Sequence, residues 1–288
     1  MALKNSWLVY ALVTTIFWGV WGAFIEIPEK SGFPATLGYV VWSLSMIPCS
    51  IVALKFANWS IETDRRSIFL GATVGLTGSA GQLLLFQALR EGPAYIVFPF
   101  ISLFPVCTIL LAFIFLREQA KRRQWWGIGL ALIAIFFLSY QPGQASTDVE
   151  GVSWVLYSIL VFLMWGVQAF VMKFSNDSMK AESIFFYMMA TSLLLSPVAI
   201  AMTDFSQPIN MGFKGPYLAF IIHILNSIGA LTLVYALRCG KAIVVVPMTG
   251  LSPIITVVIS LIIYGVIPSG NIAFGVVMAT VAIYLLSD

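Results

Sequence analysis

Ten apolar stretches follow one another along the chain with short polar interruptions between them, at residues 7–25, 35–56, 68–89, 94–116, 124–140, 152–174, 184–202, 217–237, 242–264 and 268–286. Each is near the ~20 residues that a helix needs to cross a bilayer, and the fifth and last are short. Only glycine-containing turns separate the third stretch from the fourth and the eighth from the ninth. Merging each pair would give eight spans, two of them about twice as long as the bilayer is thick, so the pattern predicts ten helices. The first stretch follows Lys4 as the core of a signal peptide would. It is too long for one and lacks the small-residue cleavage pattern, which makes it the first span.

The pattern also repeats. Ala88, Leu89, Arg90, Gly92, Ala94, Val97, Pro99, Leu103, Pro105 and Thr108 reappear 148 residues later as Ala236, Leu237, Arg238, Gly240, Ala242, Val245, Pro247, Leu251, Pro253 and Thr256. Gly127 pairs with Gly275 at the same offset, and Trp18-Gly19-Val20 pairs with Trp165-Gly166-Val167 at 147. A shared apolar bias does not produce that density of identities, so the chain reads as two copies of one unit, residues 1–143 and 151–288. Five spans per unit is an odd number, which turns the second unit upside down relative to the first. The expected fold is an all-α integral membrane protein with ten transmembrane helices in two inverted five-helix repeats, its substrate site near the midplane where the repeats meet.

Composition and charge place the chain. With 60% apolar and 9% charged residues it is unlike a soluble domain, whose charged share is about 25%. Putting the N-terminus inside assigns Lys4, Lys55, Arg65, Arg66, Arg117, Lys121, Arg122, Arg123, Lys173, Lys180, Arg238 and Lys241 to the cytoplasm and leaves Lys30, Arg90 and Lys214 outside, 12 against 3 of the 15 cations. That asymmetry predicts a multi-pass protein of a bacterial inner (plasma) membrane with both termini cytoplasmic. The polar linker 140–151 then joins the halves outside, and the sequons at Asn58 and Asn176 fall inside, where they stay unmodified. The net charge of +3 follows from the inner-loop bias; no basic aromatic patch is present, so no nucleic-acid partner is expected. Cys49 and Cys107 lie in spans and Cys239 in an inner turn, which suggests neither a disulfide framework nor a metal cluster.

Several motifs carry candidate chemistry. The repeated Ala-Leu-Arg-x-Gly-x-Ala reads as a helix end, with Arg90 or Arg238 facing the negative end of the dipole and glycine supplying a left-handed cap. Pro99, Pro105, Pro247 and Pro253 fall inside the fourth and ninth stretches, remove backbone hydrogen bonds there, and are candidate gating hinges as well as plain kinks. Trp18 lies about 16 Å along the first helix, at midplane depth, where it either walls a cavity or fills the interhelical core. Gly71, Gly75, Gly78 and Gly81 on the third helix allow close packing of a neighbour. At the positions equivalent to Gly75 and Gly78 the eighth helix has His223 and Asn226, on one face. Polar side chains within a span are functional candidates by default, so His223 and Asn226 head a set that also holds Gln82, Gln87 and Gln168. Glu26 ends the first helix as a solvated interface charge or a coupling carboxylate. No metal-ligand, nucleophile or phosphate-cradle motif occurs, so no catalytic centre, metal or cofactor is expected and the chain is not read as an enzyme.

Together Trp18-Gly19, the run from Ala88 through Pro99 and Pro105 to Glu118, Gly127 and Gly129, and the recurrence of most of this in the second half resemble the drug/metabolite transporter superfamily, specifically its EamA-like members. The resemblance covers essentially the whole chain. It implies a bundle whose central cavity is lined mainly by helices one, three, four, six, eight and nine, and which moves small metabolites by alternating access. Glu118 departs from the repeat, since its counterpart is Val266. Trp18, Trp21, Gln82, Trp165, Gln168, His223 and Asn226 are the expected substrate contacts. Being aromatic and uncharged, they suit a neutral or zwitterionic solute better than a phosphate, which calls for paired cations. Export of amino acids or amphiphilic compounds leads this reading; a sugar uptake permease and a non-transporting scaffold or sensor are the alternatives. The expected partners are a small-molecule substrate and the lipid bilayer, and no motif speaks to oligomeric state.

Overall fold

In a computed structural model, residues 6–139, 152–264 and 269–287 are described; the linker at 140–151 and Val266 lie outside them. Every regular element among the described residues is helical. In chain order these are α1 (Ser6–Phe24), α2 (Glu26–Lys30), α3 (Ala35–Phe56), α4 (Arg65–Glu91), α5 (Ala94–Ser102), α6 (Pro105–Phe115), α7 (Arg122–Ser139), α8 (Ser153–Ser175), α9 (Ala181–Ala201), a π-helical turn (Phe213–Tyr217), α10 (Leu218–Cys239), α11 (Ala242–Thr249), α12 (Pro253–Tyr264) and α13 (Gly270–Leu286). Among the described residues eight segments are long and apolar enough to cross a membrane: Ser6–Lys30, Ala35–Phe56, Arg65–Glu91, Ile96–Phe115, Ser153–Ser175, Ala181–Ala201, Phe213–Cys239 and Ala242–Ile263. The fifth and tenth stretches of the sequence fold as α7, which opens on Arg122 and Arg123, and as the 17-residue α13.

Helix ends follow local chemistry. Asp64 caps α4, accepting the Ser67 hydroxyl at 2.6 Å and the Ser67 amide at 3.2 Å, and these bonds hold its carboxyl below the usual carboxylate range. Pro105 and Pro253 each stand first in their helix, where a missing N–H is harmless. The fourth and ninth stretches are therefore broken rods, α5 with α6 and α11 with α12, while Pro99 and Pro247 lie inside α5 and α11. Gly92 and Gly240 differ from the left-handed caps expected of them. Both are extended, at φ −121° and −120°, and what requires glycine is space, because a Cβ would stand 2.7 Å from the Trp154 Cβ in one case and 2.9 Å from the Trp7 Cβ in the other.

That pair of contacts belongs to a set in which each member recurs at the spacing of the sequence repeat. Gly127 of α7 abuts Leu285 and Leu286 of α13, and Gly275 of α13 abuts Leu138 of α7, all at 3.0 Å from an added Cβ. Thr108 donates to the Gly166 carbonyl at 2.9 Å, and Thr256 donates to the Gly19 carbonyl at 2.8 Å. Trp165 packs on Gly81 and donates to the Gly78 carbonyl; Trp18 packs on Gly229 and donates to the Asn226 carbonyl. These contacts join α4 to α8 and α1 to α10 in the same manner. The glycine stripe of α4 lets α9 and α8 approach its backbone, as small residues do where helices pack in lipid. Hydroxyl pairs add directional bonds between helices: Thr36 with Thr203 at 2.7 Å, and Ser43 with Ser196, Ser45 with Ser227 and Thr14 with Thr232, each at 2.8 Å. Such bonds contribute about 0.6 kcal/mol apiece in a membrane bundle.

Candidate functional site

A cavity of about 640 Å³ opens beside the C-terminal end of α1 and reaches as far as Trp21, His223 and Asn226. Trp21, Glu26, Gln82, His223 and Asn226, five of the residues singled out in the sequence, line it. Phe33, Tyr39, Trp42, Phe86 and Phe98 complete an aromatic wall, with Glu29 and Lys30 exposed at the mouth. Lys30, the one lysine or arginine in the lining, is ion-paired to Glu26. Gly32, at φ +89°, turns the chain after α2, and Asn210 fastens this turn by bonding the Gly32 carbonyl at 3.0 Å and the Ser31 carbonyl at 2.9 Å.

The polar floor is organised by indoles. Trp21 donates to His223 Nδ1 at 3.2 Å, and Trp42 donates to Asn226 Oδ1 at 2.9 Å. His223 is only 6% exposed, and its Nε2 has no hydrogen-bond partner among the described residues. A buried donor or acceptor left unmatched is costly, which marks this nitrogen as a place where a ligand atom could bind.

The other end of the bundle is shut. Tyr10 stacks on Tyr235 with ring centroids 5.2 Å apart, and the Tyr235 hydroxyl donates to Glu182. Lys173 bonds the Leu237 carbonyl at 2.9 Å and Asn176 bonds the Val234 carbonyl at 3.1 Å. Glu118 accepts the Ile243 amide at 3.1 Å, placing a carboxylate at the positive start of α11, and Lys241 reaches the Gln119 carbonyl at 2.6 Å. Replacing Glu118 by Gln keeps a bond to the amide and loses the charge. A decrease of about 1 kcal/mol in stability is the expected result, read from the thermal midpoint in detergent.

The remaining candidates lie outside the cavity lining. Trp18 and Trp165 sit against Gly229 and Gly81 and bond backbone carbonyls, and Gln168 covers Gly78. Gln87 bonds Glu91 at the end of α4, while Arg90 reaches the Met202 carbonyl at 2.6 Å and Arg238 the Met179 carbonyl at 3.5 Å, beyond each helix's own last turn. The lining comes from α1 to α5 and α10; α8, α11 and α12, the sixth and ninth stretches, give no residue to it, and α3 gives Tyr39 and Trp42. Those two were legible only as aromatics three apart in an apolar run, a pattern more often core than site.

Comparison with known proteins bears on these features. The family model described as the EamA-like transporter family matches residues 5–140 and again residues 152–288. An uncharacterized protein of Methanocaldococcus jannaschii is 35% identical over 133 residues, 46% of this chain but 95% of that one, so that relative has about half this length. CMP-sialic acid transporter 2 of Oryza sativa subsp. japonica is 22% identical over 311 aligned residues, covering 99% of this chain and 85% of its own. A crystal structure matches with a TM-score of 0.79 at 14% identity, over 98% of this chain and 96% of that one, a likeness of fold.

Proposed function

Because this chain belongs to the EamA-like transporter family, we propose that it is a secondary transporter that carries small solutes through the cavity by alternating access. The observation that carries this reading is the cavity's polarity of access: it reaches the surface at Glu29 and Lys30 and is sealed below by the Tyr10–Tyr235 stack and the Glu118 contact. Two inverted five-helix units, residues 1–143 and 151–288, account for it. Supporting that arrangement are the double family match, a relative about one unit long, and contacts recurring at the repeat spacing. Within it α7 and α13 are the fifth span of each unit, paired across the bundle, and the count is ten.

The substrate on this reading is neutral or zwitterionic, an amino acid or an amphiphile, and the direction is export across a bacterial inner membrane. A volume of about 640 Å³ lies in the range of pockets for drug-sized ligands. The rice relative is named for a nucleotide sugar, but this lining has one lysine, neutralised by Glu26, where a phosphate would call for paired cations. Solute flux in proteoliposomes tests the function directly, with a stabilisation screen over amino acids, sugars and amphiphilic drugs choosing the solute. Absence of flux for every solute that stabilises the protein would turn the reading toward a sensor.

Two further results are expected. His223→Ala and Asn226→Ala each lower flux about tenfold, the worth of one hydrogen bond to the ligand, and each also costs about 1–3 kcal/mol of stability because the Trp21 or Trp42 N–H loses its acceptor. Unchanged flux in the destabilised variants returns both residues to the core. For orientation, Cys239 is first replaced by Ser to remove the exposed native thiol. Asp148→Cys then reacts with an impermeant maleimide from outside the cell and Arg122→Cys does not; the reverse pattern sinks both the cytoplasmic termini and the inverted arrangement.

A further inference from the structure

His223 is the only histidine of the chain, and Trp21 dictates which of its nitrogens bears the proton. An indole N–H can only donate, so the Nδ1 that accepts it carries a lone pair, and the neutral ring holds its hydrogen on Nε2. Protonating both nitrogens would set two donors face to face. One turn further along α10, Trp42 imposes the same condition on Asn226: its Oδ1 accepts an indole N–H at 2.9 Å, which leaves the amide NH2 as the free end. The single acceptor of the neutral imidazole is thus taken, and Trp42 takes one of the two lone pairs of Asn226 Oδ1. What His223 offers to the cavity is N–H alone, and beside it Asn226 turns its free NH2.

We propose that the Trp21–His223 and Trp42–Asn226 pairs form a donor clamp that selects ligands by the sign of their hydrogen bonding. The end of the ligand seated there is an acceptor, a carboxylate or carbonyl oxygen, and an ammonium group is refused. The proposal deepens the transporter reading and rests on the cavity being the solute site. It gives the two indoles a role in specificity through the atoms they bond, since neither needs to touch the ligand for the selection to operate. The repeat-equivalent positions lack the device: Gly75 and Gly78 are glycines packed under Thr191 and Gln168, so only one end of the bundle carries it. With Glu26 already paired to Lys30, Glu29 is the carboxylate at the mouth that faces the cationic end of a zwitterion.

A solitary histidine makes the test direct. The full chain, grown with 15N-labelled histidine and reconstituted in nanodiscs, has two ring resonances to assign. The expected spectrum has Nε2 protonated and Nδ1 unprotonated. Three probes with one alkyl skeleton are then titrated: 4-methylpentanoate, leucine and isoamylamine. The first two are expected to shift the Nε2 resonance saturably, at least tenfold more tightly than isoamylamine. In Trp21→Phe the ring becomes a mixture of tautomers and that discrimination collapses, because Nε2 can then accept. A second variant removes access without touching the clamp: a Cβ on Gly38 would stand 3.7 Å from Nε2, ordinary contact, so Gly38→Ala keeps the tautomer and loses the shift. An Nδ1-protonated or doubly protonated ring in the wild type, equal shifts from the amine, or no shift from any probe overturns the clamp. Shifts from the carboxylates without flux in proteoliposomes would leave the clamp standing and remove transport, whereas flux of a solute that leaves Nε2 unmoved does the reverse.

Discussion

Gly75→Ala is expected to leave little folded protein in the membrane, while Gly129→Ala, a change of the same size in another helix, is tolerated. A Cβ at Gly75 would stand 2.8 Å from the Tyr187 carbonyl oxygen and 2.9 Å from the Thr191 Cβ, with the Thr191 hydroxyl closer still. The carbonyl is backbone, so the strain is relieved only by moving α9 off α4. Overpacking of this kind typically costs about 1–3 kcal/mol and more where backbone must shift, a large part of what a domain has. Gly19→Ala belongs with it, since the Ser252 carbonyl would be 2.7 Å away and the Ile255 Cγ2 2.8 Å. Gly78→Ala is milder, because what meets the new methyl is the end of the Gln168 side chain, which can swing aside. At Gly129 nothing lies within 4 Å, and alanine gains about 1 kcal/mol in helix propensity. Yield of monodisperse protein and melting temperature in one detergent should rank the variants as Gly129→Ala, Gly78→Ala, then Gly19→Ala and Gly75→Ala. A Gly75→Ala protein as stable as the wild type would mean that α4 and α9 are not packed backbone to side chain as described.

Why some of this was readable in the sequence and some was not is a matter of which forces act locally. Helix positions were legible because lipid demands an unbroken apolar run, and nine of the ten stretches coincide with helices or helix pairs to within a few residues along most of their length; the tenth begins beyond the described residues and resumes as α13. The repeat foretold contacts as well as elements, since Gly127 and Gly275, or Thr108 and Thr256, find equivalent partners. That His223 and Asn226 share one cavity wall was legible too, because they are polar groups on one helix face where lipid tolerates few. The breaks after Ser102 and Thr249 were foreshadowed by proline but not placed by it, as Pro105 and Pro253 begin the following helices. The contribution of α3 was hidden, because Tyr39 and Trp42 look like any core aromatics until the indole of Trp42 is seen to hold Asn226. Equally hidden was the inequality of the two halves, which depends on what covers each glycine: Gln168 fills the space over Gly78, while its counterpart Trp21 stands back to bond His223.

That inequality supplies a prediction about motion. Helices α5 and α11 are the same element of the repeat, yet Phe98 is 45% exposed and lines the cavity, whereas Val246, 148 residues on, is 1% exposed within a helix buried at every residue. If the two halves exchange conformations during transport, these environments exchange as well: α5 closes over the cavity and α11 opens the opposite end. The anchors of the exchange are Thr108 and Thr256, which fix α6 to α8 and α12 to α1, so the breaks before Pro105 and Pro253 are where each half-helix can swing. Pro247→Ala restores a donor inside α11 and stiffens it in its buried position, which should trap the observed state. Flux is expected to fall at least tenfold, and affinity from the open side to change by no more than the shift in state populations, because the cavity itself is untouched. In the wild type, Val246→Cys should gain reactivity toward an aqueous maleimide during turnover while Phe98→Cys loses it, and Pro247→Ala should abolish both changes. Identical rates in the wild type, Pro99→Ala and Pro247→Ala at saturating solute would leave the prolines as static architecture and place the moving joint elsewhere.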